Sequence, residues 1–101
     1  MKAKQLMCLL LFSGALAAEQ ESELTSTIML CANCHGQAGI SSVDVYPNLA
    51  GQKALYLKLQ LQKFKDGSRP SAVMEPMSKV LSDKEIEALA SYYANLSTQV
   101  K

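Results

Sequence analysis

The stretch LCANCHG, Leu30 to Gly36, sets two cysteines three apart and a histidine directly after the second. Three chemistries use that spacing: a thiol redox pair, part of a zinc site, or an anchor for a larger cofactor. The compartment the chain reaches and the other ligands it carries separate them.

The chain has 101 residues and opens MKAKQLMCLLLFSGALAAEQ. Lys2 and Lys4 precede an apolar block from Leu6 to Phe12, and small residues follow up to Ala17. That order is the one of a bacterial secretory leader. We expect residues 1–17 to be removed, with cleavage after Ala18 as the alternative, leaving a domain of residues 18–101 in the periplasm. An uncleaved anchor is the competing reading. The apolar block is shorter than the about 20 residues a membrane span needs, so the mature form is expected to have no span.

Cleavage would take Cys8 away, leaving Cys31 and Cys34. It would also take Lys2 and Lys4 from the ten Lys and Arg, leaving eight against nine Asp and Glu, a formal charge of −1. Nucleic acid and anionic membranes demand a clear positive excess, so neither is expected as a partner. About 84 residues remain, a size at which a disulfide, metal or cofactor commonly supplements the core.

Along the mature chain, Leu24, Ile28 and Cys31 fall at helical spacing behind an acidic start, with Ser22 as a candidate cap. This predicts a first helix from about residue 22 to the motif. GQAGISSVDVYPNLAG, 36–51, has three glycines, a proline and no sustained period, which marks a loop. In 52–66, Leu55, Leu57, Leu59 and Leu61 alternate as a strand would, while Leu57, Leu61 and Phe64 fit a helix face. Leu, Lys and Gln are good helix formers and Gly67 stands at a stop position, so helix is the reading. SRPSAVMEPMSKV, with Pro70 and Pro76, is expected to be irregular. In the last segment Ser82 and Glu85 form a capping box, Leu81 and Ile86 a hydrophobic staple, and Ile86, Leu89, Ala90, Tyr93 and Leu96 one apolar face. That predicts a terminal helix from 83 to about 96. Asn95-Leu96-Ser97 matches a glycosylation sequon but carries no weight beside a bacterial leader.

A dithiol oxidoreductase places its pair at the start of a helix beside a βαβ sheet, where the helix dipole activates the thiolate. Here the pair ends a helix and no sheet is visible. Zinc needs four ligands, and Cys31, Cys34 and His35 give at most three on one turn. Covalent haem attachment uses all three residues differently: two thiols reach the porphyrin edge and the imidazole reaches the iron. An apolar disc would also give the loops at 36–51 and 68–81 something to fold around. Met74 and Met77 lie in the second of these loops, and a thioether is a soft, neutral sixth ligand. Ordinary packing is the competing role for each methionine.

Three segments in this order, CANCHGQAG, YPNLAGQKALYLKLQLQKFKDGSRP and MEPMSKVLSDKEIEALASYYANL, resemble a class I cytochrome c. The nearest likeness is to one half of the dihaem cytochromes c4, or to a single-domain relative of the c553 type. The resemblance implies a small all-α cytochrome c fold, with about three main helices and long loops wrapped around one covalently bound haem c. It implies thioethers at Cys31 and Cys34 and His35 as proximal iron ligand. Pro47 would offer its carbonyl to the Nδ1 proton of His35, and Leu49 and Tyr56 would line the pocket. It places the distal methionine eight residues before the capping serine, at Met74, with Met77 as the alternative. The dihaem relatives carry two such domains and this sequence carries one, so one haem is expected unless two chains pair.

The function this implies is single-electron transfer between redox protein partners through His/Met-ligated haem iron, with no enzymatic activity of its own. Two alternatives stand: a haem subunit of a periplasmic dehydrogenase, and a ligand-binding or sensing haem protein with an open sixth position. Lys53, Lys58, Lys63, Lys65 and Arg69 gather on the second helix, as a docking face for an acidic partner or as solvated helix surface.

Overall fold

The computed structural model describes residues 2–99, with side chains from residue 17 to residue 99. Four helices follow one another: α1, Lys2–His35; α2, Ala54–Asp66; α3, Met74–Lys79; and α4, Asp83–Ala94. No strand occurs among the described residues, and the fold is all-α. The side chains of the expected leader, except that of Ala17, lie outside the described residues.

α1 begins well before the expected start at residue 22. Nothing between Lys2 and Glu21 stops a helix: the stretch has no proline and no β-branched residue, and only Gly14 weakens it. Ser22 therefore does not cap. The hydroxyls of Thr25, Ser26 and Thr27 instead donate back to the carbonyls of Glu21, Ser22 and Glu23, at 2.8, 3.0 and 3.0 Å, so their polar groups are satisfied inside the helix.

The turn out of α1 depends on Gly36. Its φ is +89°, and its N–H donates to the Ala32 carbonyl at 2.9 Å. A Cβ there would fall 2.0 Å from the Ile40 carbonyl oxygen, so only glycine fits. The loop that follows closes on itself. Gly39 O accepts from Leu49 N and Ala50 N, Ser41 N donates to Asn48 Oδ1 at 2.7 Å, and Gly51 N pins the loop to Tyr93 O at 2.9 Å.

α2 resolves the ambiguous leucines. Leu57 is buried and Leu61 packs on the core, whereas Leu55 and Leu59 point outward. The alternation is two helix faces read in sequence order. Gly67, with φ +82°, ends the helix and its N–H donates to Phe64 O. Arg69 folds back over the Phe64 ring, 4.5 Å from its centroid, and bonds Gln60.

The segment expected to be irregular contains α3. Pro76 is the third residue of that helix, where the N–H has no intrahelical acceptor, so its absence costs nothing. Ser71 supplies the entry: its Oγ accepts from Met74 N at 3.0 Å and its carbonyl from Glu75 N at 3.1 Å.

α4 carries the capping box, with Glu85 N to Ser82 Oγ and Ser82 N to Glu85 Oε1 both at 3.1 Å. It stops at Ala94, two residues short of expectation, because Asn95 turns its amide onto Ser91 O at 2.8 Å. The core forms where α2, α4 and the α3–α4 junction meet. Leu57, Leu81, Ile86, Leu89, Ala90 and Tyr93 are buried there, and Leu24, Ile28 and Cys31 of α1 pack against them with Leu49, Leu61, Tyr92 and Leu96.

Candidate functional site

Cys31, Cys34 and His35 occupy the last turn of α1, so one rigid element presents all three. Cys31 faces the core and Cys34 is half-buried; neither is in a disulfide. His35 is 8% exposed, and its Nδ1 lies 2.8 Å from the Pro47 carbonyl oxygen. A carbonyl only accepts, so Nδ1 carries the proton and Nε2 keeps a free lone pair. The loop closure through Gly39 and Asn48 brings Pro47 to that point. Tyr46 brings its ring centroid to 6.4 Å from that of His35, tilted by 55°.

Burial pushes the Cys31 thiol above its ordinary range, an effect that the neighbouring Tyr93 hydroxyl partly offsets. Tyr93 is itself 3% exposed and pushed up, by burial first and then by Cys31 and Tyr92. Its hydroxyl lies beside the thiol yet completes no hydrogen bond of good geometry.

The other residues singled out from the sequence stand on separate elements. Leu49 is half-buried against the core, while Tyr56 projects from α2 and is largely exposed. Met74 opens α3 and is half-buried; Met77, one turn on, is 39% exposed. Tyr46, Tyr93 and Lys65, whose amine reaches the Leu81 carbonyl, were not picked out by motif. Tyr46 has a local signal in its place beside Pro47, whereas Tyr93 reads as one more apolar-face residue and Lys65 as one of several surface lysines.

Among the described residues no three His, Cys, Asp or Glu side chains gather as a metal site. The donor set fits haem c: two free thiols on one helix end, a buried imidazole with Nε2 free, and thioethers on a different element. Leu30, Val45, Tyr56, Leu59, Met77 and Val80 are each more than a third exposed, and seven apolar residues are buried among the described residues.

A family model described as cytochrome c oxidase, cbb3-type, subunit III matches residues 19–92. Cytochrome c-554(548) of Halomonas halodenitrificans is 41% identical over 68 residues, covering 64% of this chain and 82% of that one. The cytochrome subunit of sulfide dehydrogenase of Chlorobaculum tepidum is 40% identical over 79 residues, covering 78% and 69%. Among solved structures, reduced recombinant cytochrome c4 from Pseudomonas stutzeri superposes with a TM-score of 0.63 at 37% identity, over 66% of this chain and 38% of that one. Against curated cytochromes c4 and thiosulfate dehydrogenase electron acceptors, the chain spans 32% to 50% of the relative's length.

Proposed function

This chain belongs to the cytochrome c family and carries covalent haem c, and we propose that it is a periplasmic monohaem electron carrier with His35 and Met74 as axial ligands. The observation that carries this reading is the His35–Pro47 pair at the end of a helix that also bears both thiols. Haem c supplies reversible one-electron chemistry when bound. The protein's own part is positional. Cys31 and Cys34 would hold haem c through thioethers, and Pro47 fixes the His35 tautomer so that Nε2 would be the nitrogen offered to its iron. Met74 is the better-buried of Met74 and Met77 and would give the iron a soft, neutral sulfur, which favours the ferrous state. With both ligands in place, oxygen and substrate would be kept from the iron, so the chain would need no catalytic acid or base.

Export removes residues 1–17 in this account, and no described helix is long and apolar enough to cross a membrane. The electron donor and acceptor in this account are redox proteins.

A second reading has one specific observation behind it: a relative of similar length is the cytochrome subunit of sulfide dehydrogenase. In that case the chain would be the permanently bound haem subunit of a catalytic partner. Size-exclusion chromatography of the periplasm at native concentration separates the two. Haem absorbance eluting at the size of one domain supports the free carrier; elution in a stable complex with a larger chain overturns it.

A further inference from the structure

α3 is the weakest element of the fold. Six residues are too few to hold a helix by its own hydrogen bonds, yet this is the element that carries Met74 and Met77. Its entry is tied by Ser71 Oγ, which accepts from Met74 N at 3.0 Å. Its exit runs through Val80 to Leu81, whose side chain is 7% exposed and anchored in the core. The Leu81 carbonyl lies past the last turn of α3 and before the cap of α4, where neither helix supplies a donor. Lys65 supplies one: its amine donates to Leu81 O from the last turn of α2.

Two neighbouring lysines behave differently. Lys58 pairs with Glu87 at 2.7 Å, and Lys79 pairs with Glu75 at 3.1 Å within α3. The Lys65 amine goes to a main-chain carbonyl, in the manner of basic side chains that satisfy helix-terminal carbonyls. Its root is firm, because Leu57 and Leu61 fix α2 to the core.

We propose that Lys65 is a positioning residue for the distal ligand, clasping the α3–α4 junction to α2 so that the methionine segment stays closed over the iron. The inference rests on methionine ligation as proposed above and adds the residue that keeps the thioether in place. A thioether binds iron weakly, and an added ligand enters only when the segment swings away. The apparent affinity of such a ligand therefore scales with the open fraction. Loss of a charged hydrogen bond to a part-buried carbonyl raises that fraction by about tenfold or more.

The test is imidazole titration of the oxidised holoprotein, followed by the far-red sulfur-to-iron band. Lys65→Met keeps the aliphatic stem and removes the donor; Lys65→Leu, which also has no donor, is a second variant should the first accumulate poorly. Both are expected to bind imidazole about tenfold more tightly than wild type, or tighter still. Lys65→Arg, which can still donate, should restore the wild-type affinity to within about threefold. Lys58→Met, which removes a tie from α2 to α4 and leaves α3 untouched, should not change it. Affinity within twofold of wild type in both Lys65→Met and Lys65→Leu overturns the clasp, as does an equal gain in Lys58→Met. A wild-type protein without the sulfur-to-iron band overturns methionine ligation itself, which is a separate result.

Discussion

His35 Nδ1 sits 2.8 Å from the Pro47 carbonyl oxygen, across a loop of twelve residues that is closed by its own hydrogen bonds. The pair sets which imidazole nitrogen is protonated, and therefore which one can bind iron. In the reduced holoprotein the Nδ1 proton should be visible by nitrogen-correlated NMR and exchange slowly. Pro47→Gly keeps the carbonyl but frees its backbone, and should speed that exchange by about tenfold or more. Equal exchange in the two proteins would show that the loop does not hold the bond.

Gly36 and Gly67 offer a controlled comparison. Both have positive φ, but a Cβ on Gly36 strikes the Ile40 backbone, whereas one on Gly67 meets nothing within 4 Å. Gly67→Ala should cost about 1 kcal/mol, the conformational penalty alone. Gly36→Ala should cost at least about 2 kcal/mol and lower the yield of haem-loaded protein, because the turn carries the loop to His35. Denaturant midpoints of the two holoproteins check the order.

Tyr93 predicts an alkaline limit. Its folded-state phenol is pushed above the ordinary value of about 10, by burial first. The buried ring thus keeps its proton after the unfolded chain has lost its own. Its contribution to stability is complete below about pH 10 and falls as pH rises past that value. Tyr93→Phe should remove this component, flattening the stability profile above about pH 10, and at neutral pH it should be neutral or slightly stabilising because an unpartnered hydroxyl is gone.

The Ser82–Glu85 capping box bears on the helix that holds most of the core. Ser82→Ala should lower stability by about 1 kcal/mol, with the visible spectrum of the reduced protein unchanged. A spectral change would mean that α4 is coupled to the iron more directly than its position indicates.

These elements differ in how openly the sequence displays them. α4 is legible because its signals are local: a cap, a staple and one apolar face between Leu81 and Leu96. α2 is nearly so, its strand-like leucines resolved by residue type. α3 was hidden by Pro76, which reads as a breaker until its place in the first turn is known. The start of α1 was hidden by Ser22, whose hydroxyl-rich neighbours bond back into the helix instead of capping it. At the site, CANCH announces its chemistry in five residues. Pro47, Leu49 and Tyr56 were reached only through resemblance, since no periodicity links them to His35. Tyr93 beside Cys31 and Lys65 on Leu81 O depend on how distant helices cross, and local pattern does not encode that.

The central claim is a covalent haem ligated by His35 and Met74, and the visible spectrum of the periplasmically expressed protein tests it most directly. Wild type should retain haem after denaturation and extraction, and its oxidised native form should show the weak far-red sulfur-to-iron band. Met77→Ala should keep that band and Met74→Ala should lose it, with rapid carbon monoxide binding on reduction. Loss of the band in Met77→Ala alone would contradict the ligand assignment, and extractable haem would contradict the role of Cys31 and Cys34.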